Sequence, residues 1–283
     1  MISATMWSGT FARSSYVARR FALLTIATIA RDARPLAFGR PSGPQSPAMS
    51  LANDVTSFAA TIVRLGRGVY PKVTAEQRPD PKKLLELYDF EACPYCRKVR
   101  EVLSELDLDY LAHPVAHGSP RRAELVKRGG KMMAPYLVDP NTGAEMYESD
   151  DIIGYLNASY GSGARAGWFL PVPGFVDNLH SGLVSGLRLG RGTRSRSRQQ
   201  RDGLKPLTLY NMEGSPYCRK VREALSELDL EYVVRNVPKG SPKRAALVER
   251  GGKMQVPFLV DPNSGRSMYE SDDIVAYLES QYA

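Results

Sequence analysis

The chain contains its own second copy. Residues 85–160 align with residues 207–282 without a gap, and about two-thirds of the paired residues are identical. The shared blocks include Pro-Tyr-Cys-Arg-Lys-Val-Arg-Glu, Leu-Ser-Glu-Leu-Asp-Leu, Arg-Gly-Gly-Lys-Met, Leu-Val-Asp-Pro-Asn and Met-Tyr-Glu-Ser-Asp-Asp-Ile. A repeat of this length predicts two globular domains, because solenoid repeats are far shorter. The duplication reaches upstream, where Arg64-Leu-Gly-Arg-Gly68 recurs as Arg188-Leu-Gly-Arg-Gly192 after an apolar stretch. The expected division is a leader over 1–53, a helix and connection over 54–83, and a first domain over 84–160. A helix and basic linker over 161–205 and a second domain over 206–283 complete it.

Both copies read alike, and the first shows the pattern. Leu84 to Asp89 is a short buried strand, and Val99, Val102, Leu103 and Leu106 recur at helical spacing over Tyr95 to Leu106. Asp109 to Val115 is a second strand, and a β-α-β start predicts a parallel pair. Ser119 and Pro120 have the chemistry of an N-cap and first helical position for a helix running to about Arg128. Strands at Pro135 to Asp139 and Glu145 to Tyr147 flank the turn Pro140-Asn-Thr-Gly143, and Ser149 starts a last helix ending near Tyr160. The order is βαβαββα, an α/β unit present twice.

The chemistry lies at the turn between the first strand and the first helix, Cys93-Pro-Tyr-Cys96. Two cysteines two residues apart at a helix mouth are a redox device. The unpaired N–H groups and dipole of the helix favour an anion at Cys93, and Arg97, Lys98 and Arg100 add positive charge. A free cysteine titrates near about 8.5, and such surroundings lower it. Cys96, one turn deeper, is placed to resolve a mixed disulfide formed at Cys93. The competing reading is half of a zinc site with His113 and His117. The gap from Cys96 is longer than in a two-stranded finger, and the second copy carries Arg235 and Lys239 at the histidine positions. With three cysteines in all, the chain has no disulfide scaffold.

The net charge of +8 invites a nucleic-acid reading, but the two copies are not its source. The arginine run from Arg188 to Arg201 lacks interleaved aromatics, which favours a solvated tether over a nucleic-acid site. Residues 1–53 hold six arginines and a single acidic residue, Asp32, among many Ser, Thr and Ala. That composition suggests an organelle transit peptide, to a chloroplast or alternatively a mitochondrion. No apolar run is long enough to span a membrane, so stable insertion is not expected.

The βαβαββα order, Cys-Pro-Tyr-Cys after the first strand, a proline opening the third strand and Glu-Ser-Asp-Asp before the last helix resemble glutaredoxins and the N-terminal domain of glutathione transferases, of the thioredoxin-like superfamily. The tandem behind a leader is similar to double glutaredoxin-like proteins of plastids. The resemblance implies two tandem thioredoxin-like domains, glutathione as co-substrate, and protein disulfides or glutathionylated proteins as partners. It places Cys93 as attacking and Cys96 as resolving thiol, with Tyr95 beside glutathione. Ala134-Pro135 and Val256-Pro257 match the family's cis-proline, whose preceding residue pairs with the cysteinyl part of glutathione. Glu148-Ser149 and Glu270-Ser271 match the pair that holds its γ-glutamyl end. Asp150 and Asp151 lie in the same turn, either near that ammonium or as first-turn helix acids.

The second copy departs from this pattern, since Ser215 stands in place of Cys93 and leaves Cys218 alone. A hydroxyl does not perform disulfide exchange, so the second copy reads as degenerate. No all-helical stretch follows either copy in this sequence, and conjugating transferase activity is therefore not expected. Two readings stand. One is a glutathione-dependent thiol-disulfide oxidoreductase with an active first domain. The other is a glutathione or iron–sulfur binding or interaction module without turnover, which an absorption spectrum separates from the first.

Overall fold

The computed structural model describes residues 56–57, 67–73, 78–161, 190–197, 201 and 203–283. The expected leader, and most of the two upstream helices, lie outside these residues. In the first repeat, β1 (Leu85–Asp89) sends Leu85 and Leu87 into the main core and Tyr88 to the other face. Both faces of this strand are covered, and its two carboxylates are paired, Glu86 with Arg128 and Asp89 with Arg100. Next come α1 (Pro94–Glu105), β2 (Tyr110–Pro114), α2 (Arg122–Gly129), β3 (Tyr136–Asp139), β4 (Ala144–Met146) and α3 (Ser149–Tyr160). Strand β2 is parallel to β1, and β3 is antiparallel to it. The second repeat has the same order, with β5 (Leu207–Asn211), α4 (Pro216–Glu227), β6 (Tyr232–Asn236) and α5 (Arg244–Gly251). It ends with β7 (Phe258–Asp261), β8 (Arg266–Met268) and α6 (Ser271–Tyr282).

Pro94 occupies the first turn of α1, where its fixed φ fits and its missing N–H costs no bond. The helix closes with Asp107 N–H donating to the Ser104 carbonyl at 3.1 Å and Leu108 N–H to the Leu103 carbonyl at 2.9 Å, with Asp107 at φ 53°. Helix α2 starts later than Ser119-Pro120 suggests. Arg122 and Ala123 first donate to the Ser119 and Pro120 carbonyls in an i to i+3 turn, both at 3.3 Å. Ser119 still accepts from the Arg121 N–H at 3.1 Å, while its hydroxyl donates to Asp229 of the other repeat at 2.5 Å.

That contact belongs to an arrangement the domain-by-domain sequence reading does not contain. All eight strands form one sheet in the order β4-β3-β1-β2-β6-β5-β7-β8. Strand β2 is the edge of the first half and β6 the edge of the second; each satisfies the other's free N–H and C=O groups. The pair is antiparallel, with Tyr110 opposite Val234, Leu111 opposite Val233 and Ala112 opposite Tyr232. One apolar cluster runs across the join, including Leu87, Tyr110, Tyr232 and Leu209. The polar ties are nearly twofold: Ser119 to Asp229 is mirrored by Ser241 to Asp107 at 2.9 Å, and Arg121 to Glu231 at 2.7 Å by Lys243 to Asp109 at 2.5 Å. The described part of the linker is not a solvated tether. Arg196 donates its N–H to the Glu227 carbonyl at 2.7 Å, and its side chain bonds Glu279 at 2.9 Å.

His113 follows the same pattern with a titratable ring, its tie to Glu231 being mirrored by Arg235 to Asp109 at 2.8 Å. Its ring stacks on Tyr88, with Nδ1 2.6 Å from Glu231 across the join and Nε2 3.5 Å from Glu86. Burial opposes charge on the ring, but the two carboxylates outweigh it and its pKa is raised. A raised folded value means the stabilisation is fully present below the unfolded value and is lost as pH rises through the folded one. Thermal unfolding should therefore show stability falling from about pH 6.5 upward. His113→Gln should remove that step. A step of the same size in the variant would assign it to another group.

Candidate active site

Cys93 is the N-cap of α1, with φ −70° and ψ 120°. Its sulfur accepts from the Cys96 N–H at 3.3 Å and lies 4.0 Å from the Ala134 carbonyl, to which the thiol form donates. The Cys96 thiol, the backbone N–H groups of Cys96 and Tyr95, and the Arg100 charge together hold the Cys93 pKa below its ordinary value, against the opposing effect of burial. Cys96 moves the other way. Burial raises it well above the usual thiol range, and the Cys93 sulfur and Asp89 add to the effect. Of the three cations near the motif in sequence, Arg100 acts on the sulfur. Lys98 instead bonds Asp150 at 2.6 Å, and Arg97 reaches the Glu91 carbonyl at 3.4 Å.

The Cys93 sulfur is buried and is met by the backbone of a segment distant in sequence. Cys93 is 4% exposed and Cys96 0%, whereas Tyr95 is 48% exposed. Ala134-Pro135 is a cis peptide and brings the Ala134 carbonyl to Cys93. Glu148 is exposed, at φ 66° and ψ 117°, directly before α3, and Ser149 is the first residue of that helix. A non-glycine residue held at such angles costs on the order of 1–3 kcal/mol, and such residues cluster at ligand sites. Glu148 makes no side-chain cap bond to α3, and the free N–H groups of a helix start are able to take a carboxylate. Asp150, bonded to Lys98, keeps its carboxylate 78% exposed. His113 and His117 are not gathered with the cysteines: among the described residues no group of three or more His, Cys, Asp or Glu could hold a metal ion.

The second repeat keeps the frame and loses the nucleophile. Val256-Pro257 is cis, Glu270 has φ 65° and Ser271 opens α6. Ser215 caps α4 as Cys93 caps α1, accepting from the Cys218 N–H at 3.3 Å. Cys218 is fully buried, and burial raises its pKa. Glu270 is already engaged, because Gln255 donates to its carboxylate at 2.7 Å; Met133 holds that position in the first repeat and has no such donor. Beside the motif, Ser57 is buried and donates to the Pro216 carbonyl at 2.7 Å.

The family described as "Glutathione S-transferase, N-terminal domain" matches residues 87–164 and again 209–283, together more than half of the chain. The chain belongs to this family. A glutathione S-transferase-like protein of Aspergillus fumigatus, tpcF, is 35% identical over 79 residues, which are 28% of this chain and 35% of that protein. Glutaredoxin 3 of Escherichia coli is 30% identical over 53 residues, 19% of this chain and 64% of its own length. The solved structure of a trimeric glutathione transferase from Leishmania aligns with 70% of this chain and 68% of its own, at 17% identity and a TM-score of 0.26. The chain thus spans a third to just under two-thirds of the curated relatives it matches.

Within this tandem of transferase N-terminal domains, sequence reasoning missed a set of residues behind the motif. Arg100 of α1 bonds Asp89 at 2.6 Å, Glu91 at 3.0 Å and, across the repeats, Glu213 at 3.2 Å. Arg222 of α4 bonds Glu91 at 2.9 Å and Glu213 at 3.2 Å. None of these five is more than 3% exposed. Two glycines from the duplicated Arg-Leu-Gly-Arg-Gly segments close over them. A Cβ at Gly192 (φ +75°) would fall 2.9 Å from Glu91 Cβ, and one at Gly68 (φ +71°) 2.9 Å from Glu213 Cβ. The usable signal was the duplication, because Glu and Arg persist at these positions in the copy that lost its cysteine.

Proposed function

We propose that the first repeat is a glutathione-dependent thiol-disulfide oxidoreductase in which Cys93 attacks and Cys96 resolves, and that the second repeat does not turn over. One observation carries this reading: the Cys93 sulfur sits on a helix N-terminus beside the exposed Tyr95, with a buried thiol one turn behind it. With a glutathionylated protein, the Cys93 thiolate attacks the glutathione sulfur. The protein thiolate leaves and takes a proton, and Cys93 becomes bonded to glutathione. A second glutathione thiolate then attacks that sulfur, releases glutathione disulfide and restores the Cys93 thiolate. With a protein disulfide, Cys93 forms the mixed disulfide, and Cys96 gives up its proton and displaces the substrate thiolate, leaving Cys93 and Cys96 joined. Glutathione reduces that bond. The Ala134 backbone and the Glu148-Ser149 helix start are the proposed glutathione contacts, reaching its cysteinyl and γ-glutamyl parts.

Because the thiolate is the reactive form, a depressed pKa keeps Cys93 reactive as pH falls, while Cys96 and Cys218 become protonated and inert. Iodoacetamide at pH 6 should label Cys93 first among the three cysteines, with Cys96 following only at alkaline pH. Labelling of Cys96 or Cys218 ahead of Cys93 would overturn the assignment, as would the absence of glutathione mixed-disulfide turnover by the reduced full chain. For residues 1–53 we keep the proposal of a plastid transit peptide. A mature protein isolated from plastids with Met1 still at its N-terminus would reject it.

A further inference from the structure

The turn that presents Cys93 hangs on Arg100. The guanidinium donates to the Asp89 carboxylate at 2.6 Å, to the Phe90 carbonyl at 3.4 Å and to the Glu91 carbonyl at 3.2 Å, and the Cys93 N–H donates back to the Phe90 carbonyl at 3.1 Å. Three consecutive residues before Ala92-Cys93 are thus gathered on a single cation. The remaining edge of that cation, Nε, is held from outside its own repeat, by Glu213 at 3.2 Å. Glu91, whose carbonyl Arg100 holds, has its carboxylate gripped from outside too, by Arg222 at 2.9 and 3.2 Å.

We propose that Glu213 and Arg222 of the second repeat are positioning residues for Cys93 of the first: they hold and balance the Arg100 guanidinium that carries the turn presenting the sulfur. This explains why a copy without a nucleophile keeps the Glu and the Arg of the motif. It rests on the oxidoreductase reading for Cys93 and adds that the thiol is tuned from the other repeat. In a water-excluded cluster a charge acts at longer range than at a surface. Removing the Glu213 anion leaves an excess of positive charge behind Cys93 and favours its thiolate. Removing the Arg222 cation has the opposite sign. The charged groups facing the turn from its own half are Asp89, Glu91, Arg97 and Arg100; from the second half they are Glu213, Arg219 and Arg222. Tyr110 and Tyr232, at the sheet join, are both pushed far above neutrality by burial and stay uncharged.

The test is the rate of Cys93 alkylation by iodoacetamide at pH 6 in the full chain, read by mass on the peptide carrying Cys93. Glu213→Gln should speed it by about three- to tenfold and Arg222→Gln should slow it by about as much, with the double variant within about twofold of the parent. A role confined to packing would move both single variants in one direction, and that result overturns the proposal, as does no change in either. Should these variants fail to fold, Asn211→Asp serves. Asn211 already accepts from Arg222 at 2.6 Å, so the near-isosteric change adds an anion to the cluster and should slow alkylation about threefold. An unchanged or faster rate there rejects the proposal. Glutathione mixed-disulfide turnover of the parent chain, measured in parallel, separates the two ideas. Turnover with unresponsive alkylation removes only the coupling between repeats, whereas responsive alkylation without turnover upholds the coupling and removes the oxidoreductase reading.

Discussion

Cys93→Ser is expected to bring reduction of a glutathione mixed disulfide down to the background rate, a loss on the order of a thousandfold, because a hydroxyl at neutral pH supplies no comparable nucleophile. The second repeat is not expected to compensate. Its N-cap position already holds Ser215, and Cys218 is buried with a raised pKa. Cys96→Ser should separate two activities. Release of glutathione from Cys93 needs only a second glutathione, so reduction of glutathionylated substrates should persist. Direct reduction of a protein disulfide needs an internal resolving thiol, so it should fall by roughly tenfold or more. The expected geometry is intact in that variant, since the backbone N–H of residue 96 still donates to the Cys93 sulfur and a serine hydroxyl can donate in place of the Cys96 thiol. Both assays are run on the same preparations of the full chain. Equal loss of both activities in both variants would mean that the cysteines act through structure.

Local chemistry was the legible part of this protein. The strand-to-helix cysteine turn, the prolines before β3 and β7, and the Glu-Ser pairs are each written within a few residues, and the observed elements of the first repeat fall within one or two residues of their sequence bounds, with one exception. The exception is α2, where Ser119 is drawn to Asp229 and the chain takes an extra turn first. What sequence did not show was the destination of the polar residues of α1. Val99, Val102, Leu103 and Leu106 define an apolar stripe, and the rest of such a helix reads as solvated. Here Arg97, Lys98, Arg100, Glu101, Ser104 and Glu105 are buried as well. Charge pairing against another repeat and charge facing water leave the same periodicity. The Glu148 backbone was equally hidden, because glutamate carries no mark of a positive φ.

The first repeat expressed alone, residues 78–161, is expected to be a dimer. As a monomer it would leave Glu91 without Arg222, Arg100 without Glu213 and Asp107 without Ser241 and Lys243, and would bare the β2 edge. An uncompensated buried charge costs about 3–5 kcal/mol, against a whole-domain stability of about 5–15 kcal/mol. The same repeat nevertheless carries both halves of each lost contact. Arg100 and Glu91 occupy the positions of Arg222 and Glu213, and Ser119 and Asp107 those of Ser241 and Asp229. The sheet join is self-complementary as well, because its central pair, Leu111 opposite Val233, joins equivalent positions of the two copies. Two first repeats can therefore meet about a twofold axis, β2 against β2, with each Arg100 on the other's Glu91. Light scattering should give the mass of a dimer, and the melting temperature should rise with protein concentration. Arg100→Glu should abolish folding of the isolated repeat, since it sets like charges against each other at both ends of the join. A monomer that melts where the full chain melts, at every concentration, would show that the buried charges are dispensable to the fold.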